Sequence, residues 1–499
     1  MKQKHNFMPR FLKQYWPLLL IVTLSASLRF FALFHYGDFW FDEMFSFTYS
    51  QKPWLDSFRM WVWETNPPFH MFVLKLFFYI TTPSELTARL PSLIASVATI
   101  AFIYLIGTKL FTRRVGILAS LLLTLSPQHI LFSITARTYA ILILLSLLSG
   151  YYFIKIFVLE NEADKKDKTL FVLLHIMLLY SHLTSASIIM SEFIILIASN
   201  KKKIKLWMTL LFMSVLPWLI WAIPALSFKL NFHTYKQAWF FNSAIDFDNY
   251  AKTLQMSLLG FFRQSFYILP LILFYLLLFI STVYKTIKRQ SNQSLLLAIT
   301  SLAIFPFLLA VSFSTLDPKF YIICLPWALL VIAYILSDNL PTWTYPIFLL
   351  IFLPGLQLFF TILPVSNWSA INKYLVTNIP QHHKTVLVYN SFVNKNEVDY
   401  YLHLSIPTIN YTPHKIDNWD HFLITENYFR IRETKEKIDA WAQSNGIYNF
   451  DDIFLMQTPD NTYESVDILT VLKEKGYRLT TTSAVMPIIN TPTIFHLVK

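Results

Sequence analysis

Two adjacent acids, Asp42 and Glu43, follow Gly37-Asp38-Phe39-Trp40-Phe41 just beyond the first long apolar run. A carboxylate partly shielded by Trp40 and Phe41 can act as a general base toward a hydroxyl. The plainer reading is a hydrated pair opening a juxtamembrane helix. Glu64, in Glu64-Thr65-Asn66-Pro67-Pro68, has two readings as well. The diproline ends a helix, or it forms a rigid turn that aims Glu64 back at the membrane surface. Arg137, in Ser133-Ile134-Thr135-Ala136-Arg137-Thr138-Tyr139, and Lys319, in Asp317-Pro318-Lys319-Phe320-Tyr321, each open an apolar run. Such cations snorkel to lipid headgroups or hold a phosphate by charge-assisted hydrogen bonds. Arg29 and Arg89 are further cations of the same kind. His182, in Leu179-Tyr180-Ser181-His182, is a structural polar residue or a metal ligand.

The elements that must position these groups are membrane helices. The chain of 499 residues is 55% hydrophobic and 14% charged, with mean hydropathy +0.47. Soluble proteins of this size carry about 25% charged residues, so the composition argues for a multi-pass membrane protein. Aromatics at 17% suit lipid-facing spans with interfacial belts. The single cysteine, Cys324, excludes an intrachain disulfide and any multi-cysteine metal site. The net charge of +12 follows from Lys and Arg in cytoplasmic loops and implies no nucleic-acid partner.

Apolar runs predict spans at 16–34, 87–108, 115–134, 137–158, 169–183, 184–200, 206–225, 265–284, 294–313, 320–337 and 342–363. That is about eleven crossings of ~20 residues each. Between the first two, the stretch 44–85 is mixed: Trp54, Phe58, Trp61, Val62 and Trp63 alternate with Asp56, Arg59 and Glu64, the pattern of an interfacial amphipathic helix that Pro67-Pro68 break. Residues 69–80 are apolar but short, which predicts a second interfacial or re-entrant segment. Basic clusters at Lys109, Arg113 and Arg114, at Lys165, Lys166 and Lys168, at Lys201–Lys205, and at Lys285, Lys288 and Arg289 fall in alternate connections. They share a side with the basic N-terminus, which is expected in the cytoplasm, and the odd number of crossings sends the C-terminus outside. Asp42, Glu64, Arg137, His182 and Lys319 all fall on the external side of this topology. A second long external loop, 226–264, carries His233, Trp239, Asp246, Asp248 and Arg263. Transporters place ionisable groups near the midplane; here the interiors of most spans lack charge.

Near residue 365 the composition changes. Short apolar runs at 385–389, 422–425, 453–456 and 493–498 alternate with polar helical stretches at 428–443 and 464–475. This predicts a membrane domain over 1–364 and a compact extracytoplasmic α/β domain over 365–499. No glycine-rich phosphate loop follows any of these strands.

In order, Leu28-Arg29-Phe30, Asp42-Glu43, Glu64-Thr65-Asn66-Pro67-Pro68-Phe69, Ala88-Arg89-Leu90-Pro91-Ser92, Ser126-Pro127, Ala136-Arg137-Thr138-Tyr139, Leu179-Tyr180-Ser181-His182, and Lys319-Phe320-Tyr321 before Leu325-Pro326 form a pattern. It resembles the C-type (GT-C) membrane glycosyltransferases, in particular glycosyltransferase family 39 and the protein O-mannosyltransferase-like proteins, with the aminoarabinose transferases as relatives. The resemblance implies a GT-C fold and transfer of a mannose-like or other hexose or pentose from a polyprenyl-phosphate carrier. The acceptor is a protein, lipid or glycan at the outer face of the cell membrane. By similarity, Asp42 is the base for an inverting attack, with Glu43 beside it opening the helix. Arg137 and Lys319, with Arg29 and Arg89 behind them, hold the donor phosphate. Glu64 orients the acceptor or, with His182, holds a divalent cation, the one cofactor the resemblance leaves open. The chain departs from its relatives at Thr135, where many carry an acid, and at Asn66, where several carry His. The alternatives are transfer of another group, such as phosphoethanolamine, and a transporter or flippase of lipid-linked precursors.

Overall fold

The computed structural model describes residues 10–64, 66–159, 164–231, 268–289, 292–312, 318–350, 353–361, 363, 366–411, 434–457, 462–484 and 493–499. The expected external loop residues His233, Trp239, Asp246, Asp248 and Arg263, and the expected strand at 422–425, lie outside them. The chain divides into two compact units. The first comprises 1–33, 65–224 and 238–361; the second comprises 34–64, 225–237 and 362–499. The first loop, 34–64, belongs to the same unit as the C-terminal residues 362–499.

The first unit is helical. α1 (Arg10–His35) lends it residues through Leu33, and α4 (Phe69–Phe78) follows the diproline. Then come α5 (Glu85–Leu110), α6 (Arg113–Leu125), α7 (Pro127–Ser133), α8 (Tyr139–Phe153, extended by a wide turn to Val158), α9 (Lys165–Ser181), α10 (Ser185–Ser199) and α11 (Ile204–Asn231), which belongs to this unit through Pro224. Helices Ile268–Arg289, Gln293–Ser312 and Leu325–Asn339 and the pair Tyr345–Leu350 and Leu353–Thr361 complete the series. Each of the eleven expected spans falls on a helix or a bent helix pair. Among the described residues six segments are long and apolar enough to cross a membrane, and a seventh if α6 and α7 count as one span bent by 67°. The bend sits at Ser126-Pro127. Proline at N1 has no N–H to lose, and the Ser126 side chain caps α7 by accepting from the His129 N–H at 3.4 Å.

α5, α6, α8 and the Leu325–Asn339 helix enclose the core, with Ile100, Ile103, Leu118, Leu122, Leu142 and Trp327 among its buried residues. Gly150 lets the Trp327 indole lie against α8: a Cβ there would stand 2.4 Å from the ring. Trp327 Nε1 donates to Ser146 Oγ (3.2 Å), whose hydroxyl donates to the Ile323 carbonyl (2.8 Å). This pins the turns at Pro318–Cys324 to α8.

The second unit pairs the first loop with an α/β sheet. The amphipathic pattern over 54–64 falls on α3 (Trp54–Trp63), and a further helix, α2 (Phe41–Gln51), precedes it, with Pro53 between the two. The sheet has order β2-β1-β3-β5-β4, with β1 Thr385–Asn390, β2 Thr408–Tyr411, β3 Asp452–Gln457, β4 Arg478–Ala484 and β5 Thr493–Val498. β1 lies parallel to β2 and β3, and β5 runs antiparallel to both β3 and β4. Strands β2 and β4 lack the apolar runs that announced β1, β3 and β5. Val386, Val388, Ile453, Leu455 and Leu497 form its core against Trp441, Ile468 and Leu472 from the helices Lys435–Ser444 and Thr462–Glu474.

Candidate active site

In the first unit the cations gather where helices end. Arg137 is half-buried in the turn between α7 and α8. Its carbonyl accepts from Ser92 Oγ (3.1 Å), one turn along α5 from the buried Arg89. The next residue, Thr138, donates its hydroxyl to the Ser181 carbonyl (3.0 Å), which ties the start of α8 to the end of α9 and so to His182. The His182 ring lies 6.1 Å from Tyr139 and 6.2 Å from Phe320, while the Lys319 ammonium stands 5.4 Å from the Phe320 ring centre. Arg137 and Lys319 both act electrostatically on His182, and Arg137 acts on His70 as well. Arg137, Lys319, His182 and His70 therefore form one group.

His182 is held at the end of α9 by Thr184, whose Oγ1 lies 2.9 Å from Nδ1 and whose N–H donates to Nδ1 at 3.2 Å. With Nδ1 engaged by Thr184, Nε2 is the ring nitrogen left to meet a ligand. Glu64, the other expected cation ligand, belongs to the second unit. Among the described residues no group of three or more His, Cys, Asp or Glu is placed to hold a metal.

Arg29, expected among the phosphate ligands, is fully buried within the helices. Its Nε donates to Ser96 Oγ (2.7 Å), Nη1 to the Ser25 carbonyl (3.2 Å) and Nη2 to His129 Nδ1 (2.6 Å). These bonds join α1, α5 and α7. A guanidinium so enclosed holds helices together.

His70 was not singled out by the sequence. It stands in the first turn of α4, directly after Pro67-Pro68-Phe69, and is 4% exposed. Its Nε2 has no hydrogen-bond partner among the described residues, which is costly unless a ligand or water supplies one. A polar residue opening an apolar run next to a diproline was the available signal.

In the second unit the acids lie on α2. Asp42 and Glu43 occupy its first turn, where negative charge is favoured by the helix dipole. Asp42 is half-buried and Glu43 fully buried. The approach to this helix is fixed by C-terminal residues. Gly37, at φ 92°, pairs with Ser366. The Asp38 carboxylate accepts from the Ser369 N–H (2.6 Å) and hydroxyl (3.1 Å) at the start of the Trp368–Asn378 helix. The Phe39 N–H donates to Tyr401 Oη at 2.7 Å. Phe47 and Tyr400 pack edge to face at 5.5 Å.

The Ser391–Tyr401 helix thus lies against α2, and it carries a buried acid, Glu397, also absent from the sequence expectations. Burial pushes its carboxyl up to about 8, with the charge of Asp42 adding to the effect. Glu64 ends α3, its N–H donating to the Met60 carbonyl at 2.8 Å. Of the residues expected at the site, Arg137, Lys319 and His182 come together in the first unit. Asp42, Glu43 and Glu64 belong to the second.

Residues 65–221 match the family model described as dolichyl-phosphate-mannose-protein mannosyltransferase. No curated protein matches the chain. Among solved structures, ArnT from Cupriavidus metallidurans bound to undecaprenyl phosphate is similar over 97% of this chain and 98% of its own, at TM-score 0.55 and 13% identity. Its apo state gives TM-score 0.56 with the same identity and coverage. The Archaeoglobus fulgidus oligosaccharyltransferase in complex with Zn and sulfate is similar over 95% of this chain and 73% of its own, at TM-score 0.54 and 13% identity. The chain has the GT-C fold, with a helical membrane part and a small C-terminal sheet domain, as the sequence pattern implied.

Proposed function

We propose that the chain transfers a sugar from a polyprenyl-phosphate donor to an acceptor at the outer membrane face. The observation that carries this reading is the group formed by Arg137, Lys319, His182 and His70 at the helix ends. Two cations within electrostatic reach of buried imidazoles suit the phosphate of a lipid carrier. The family match over the segment holding Arg137 and His182 supports a lipid-linked sugar as donor.

In this reading Asp42 takes the proton of the acceptor hydroxyl as its oxygen attacks the anomeric carbon. The new carbon–oxygen bond forms while the bond from that carbon to the phosphate oxygen breaks. The electron pair leaves on the phosphate, and the anomeric configuration inverts. Arg137 and Lys319 stabilise the charge growing on the departing phosphate, and His182 Nε2–H and His70 donate to its oxygens. Glu64 orients the acceptor, and Glu43 supports α2 from its buried side. Arg89 steadies the α5 turn below Ser92, and Arg29 acts through the helices it joins. The N-terminus lies in the cytoplasm and the C-terminal domain outside.

The test is incubation of the full-length protein in membranes with a panel of radiolabelled undecaprenyl-phosphate sugars, followed by identification of the labelled acceptor. Labelled product from wild type and none from Asp42→Asn supports the reading. Lipid movement across vesicles with no covalent product overturns it.

A further inference from the structure

The C-terminal sheet domain contributes a carboxyl that the mechanism above does not use. Glu397 is 1% exposed, and its Oε2 is buried with no hydrogen-bond partner among the described residues. It lies one helical turn before Tyr400 and Tyr401. Those two residues hold the α2 region, Tyr401 by the hydrogen bond from Phe39 and Tyr400 by ring contacts to Phe39 (6.4 Å) and Phe47 (5.5 Å). Asp42 lies between Phe39 and Phe47 in the chain. Residues three or four apart share a helix face, so the face that meets α2 also carries Glu397.

We propose that Glu397 is a positioning residue for the proton-transfer step: a neutral carboxyl set beside Asp42 that adds no negative charge to this surface while the acceptor hydroxyl is deprotonated. The inference rests on the transfer reading for its catalytic meaning, but the pairing of the two carboxyls stands without it. An ionised Glu397 would bury a further negative charge with one oxygen unsatisfied, next to a carboxylate that must itself be charged to act as a base. Its proton is held at neutral pH because burial pushes the carboxyl up to about 8.

Titratable groups stand on every element packed around Glu397. They are Asp42, Glu43 and Tyr49 on α2, Lys373 and Tyr374 on the Trp368–Asn378 helix, Tyr389 on β1, Tyr411 on β2, and Lys395, Asp399, Tyr400 and Tyr401 on its own helix. Lys373 is exposed. Asp399 acts instead on Tyr389, and the charge that acts on Glu397 is that of Asp42. A carboxyl brought from the opposite end of the chain also assigns a task to the C-terminal domain: it sets the charge beside the proposed base.

The decisive experiment is an infrared pH titration of the full-length protein in lipid nanodiscs, following the carbonyl band of a protonated buried carboxyl. Wild type is expected to lose that band with a midpoint near pH 8. Glu397→Gln, which mimics the protonated side chain in shape and charge, is expected to lack the band. In Asp42→Asn the midpoint is expected to move to lower pH, because the neighbouring charge is gone. A band absent from wild type, or a midpoint unmoved by Asp42→Asn, overturns the proposal. A second arm measures transfer against pH with the labelled undecaprenyl-phosphate sugar that wild type uses. The rate should fall by about tenfold per pH unit above the Glu397 midpoint. The Glu397→Gln profile, normalised to its own maximum, should lose that fall; an unchanged alkaline limb also overturns the proposal. Absence of product with every sugar overturns the transfer reading alone, and the infrared arm still decides whether the carboxyls are paired.

Discussion

The cations of the first unit and the acids of the second are held in place by different means. Arg137 and His182 sit in turns fixed by hydroxyl-to-carbonyl bonds between helix ends, Ser92 to Arg137 and Thr138 to Ser181, with partners 45 and 43 residues apart. Asp42 sits on a short helix whose approach is fixed by Ser366, Ser369 and Tyr401, over 300 residues later in the chain. The first arrangement is carried by the membrane helices themselves. The second depends on a separate sheet domain. The two groups should therefore fail differently when disturbed, one through loss of phosphate binding and the other through loss of proton transfer.

The largest effect is expected from Asp42→Asn. Product formation should fall by about 10²–10⁴-fold, the range for a general base. Binding of undecaprenyl phosphate, measured by native mass spectrometry, should persist. Loss of lipid binding in this variant would merge the two groups and break the distinction. Next, Arg137→Ala should cost about 10²–10³-fold in rate and weaken undecaprenyl phosphate binding, while Arg137→Lys restores part of both. Unchanged lipid affinity in Arg137→Ala would remove the phosphate assignment. A smaller change is expected for His70→Phe, roughly tenfold in rate, the worth of one hydrogen bond of about 1.4 kcal/mol. The same lipid-binding measurement shows whether His70 belongs with the cations.

The smallest expected effect concerns stability. Folding lifts the Glu397 carboxyl from 4.5 to about 8. Below pH 4.5 both folded and unfolded chains carry the proton. Between those values only the folded chain keeps it, so stability falls as pH rises and levels off above pH 8. Thermal unfolding of Glu397→Gln should consequently lose less between pH 5 and pH 8 than wild type does. An equal loss in both would show that Glu397 does not hold its proton in the folded state.

Much of the helical order was legible because apolar runs and alternating basic loops report membrane crossings directly. Arg137, Lys319 and His182 stand out in the sequence for a related reason: they are polar residues at the ends of apolar runs. Arg29 shows the limit. Its position at the end of a run allowed phosphate binding, but the sequence could not reveal that Ser96 and His129 would enclose it. β2 and β4 carry too little apolar signal to stand out from loops. Glu397 was invisible for a different reason. It lies in the polar stretch Asn394-Lys395-Asn396-Glu397, and its surroundings come from α2, a partner that no local pattern names.

The hydrogen bond from Phe39 to Tyr401 joins residues 362 apart. At synthesis rates of roughly 5–20 residues per second, that separation is a delay on the order of tens of seconds. During that time the helix bearing Asp42 has been made, and the residues that seat it have not. A chain stopped before residue 366 would keep every membrane span described here, yet have nothing to hold Asp38 or Phe39. In time as well as in space, the proposed base is the last part of this protein to be finished.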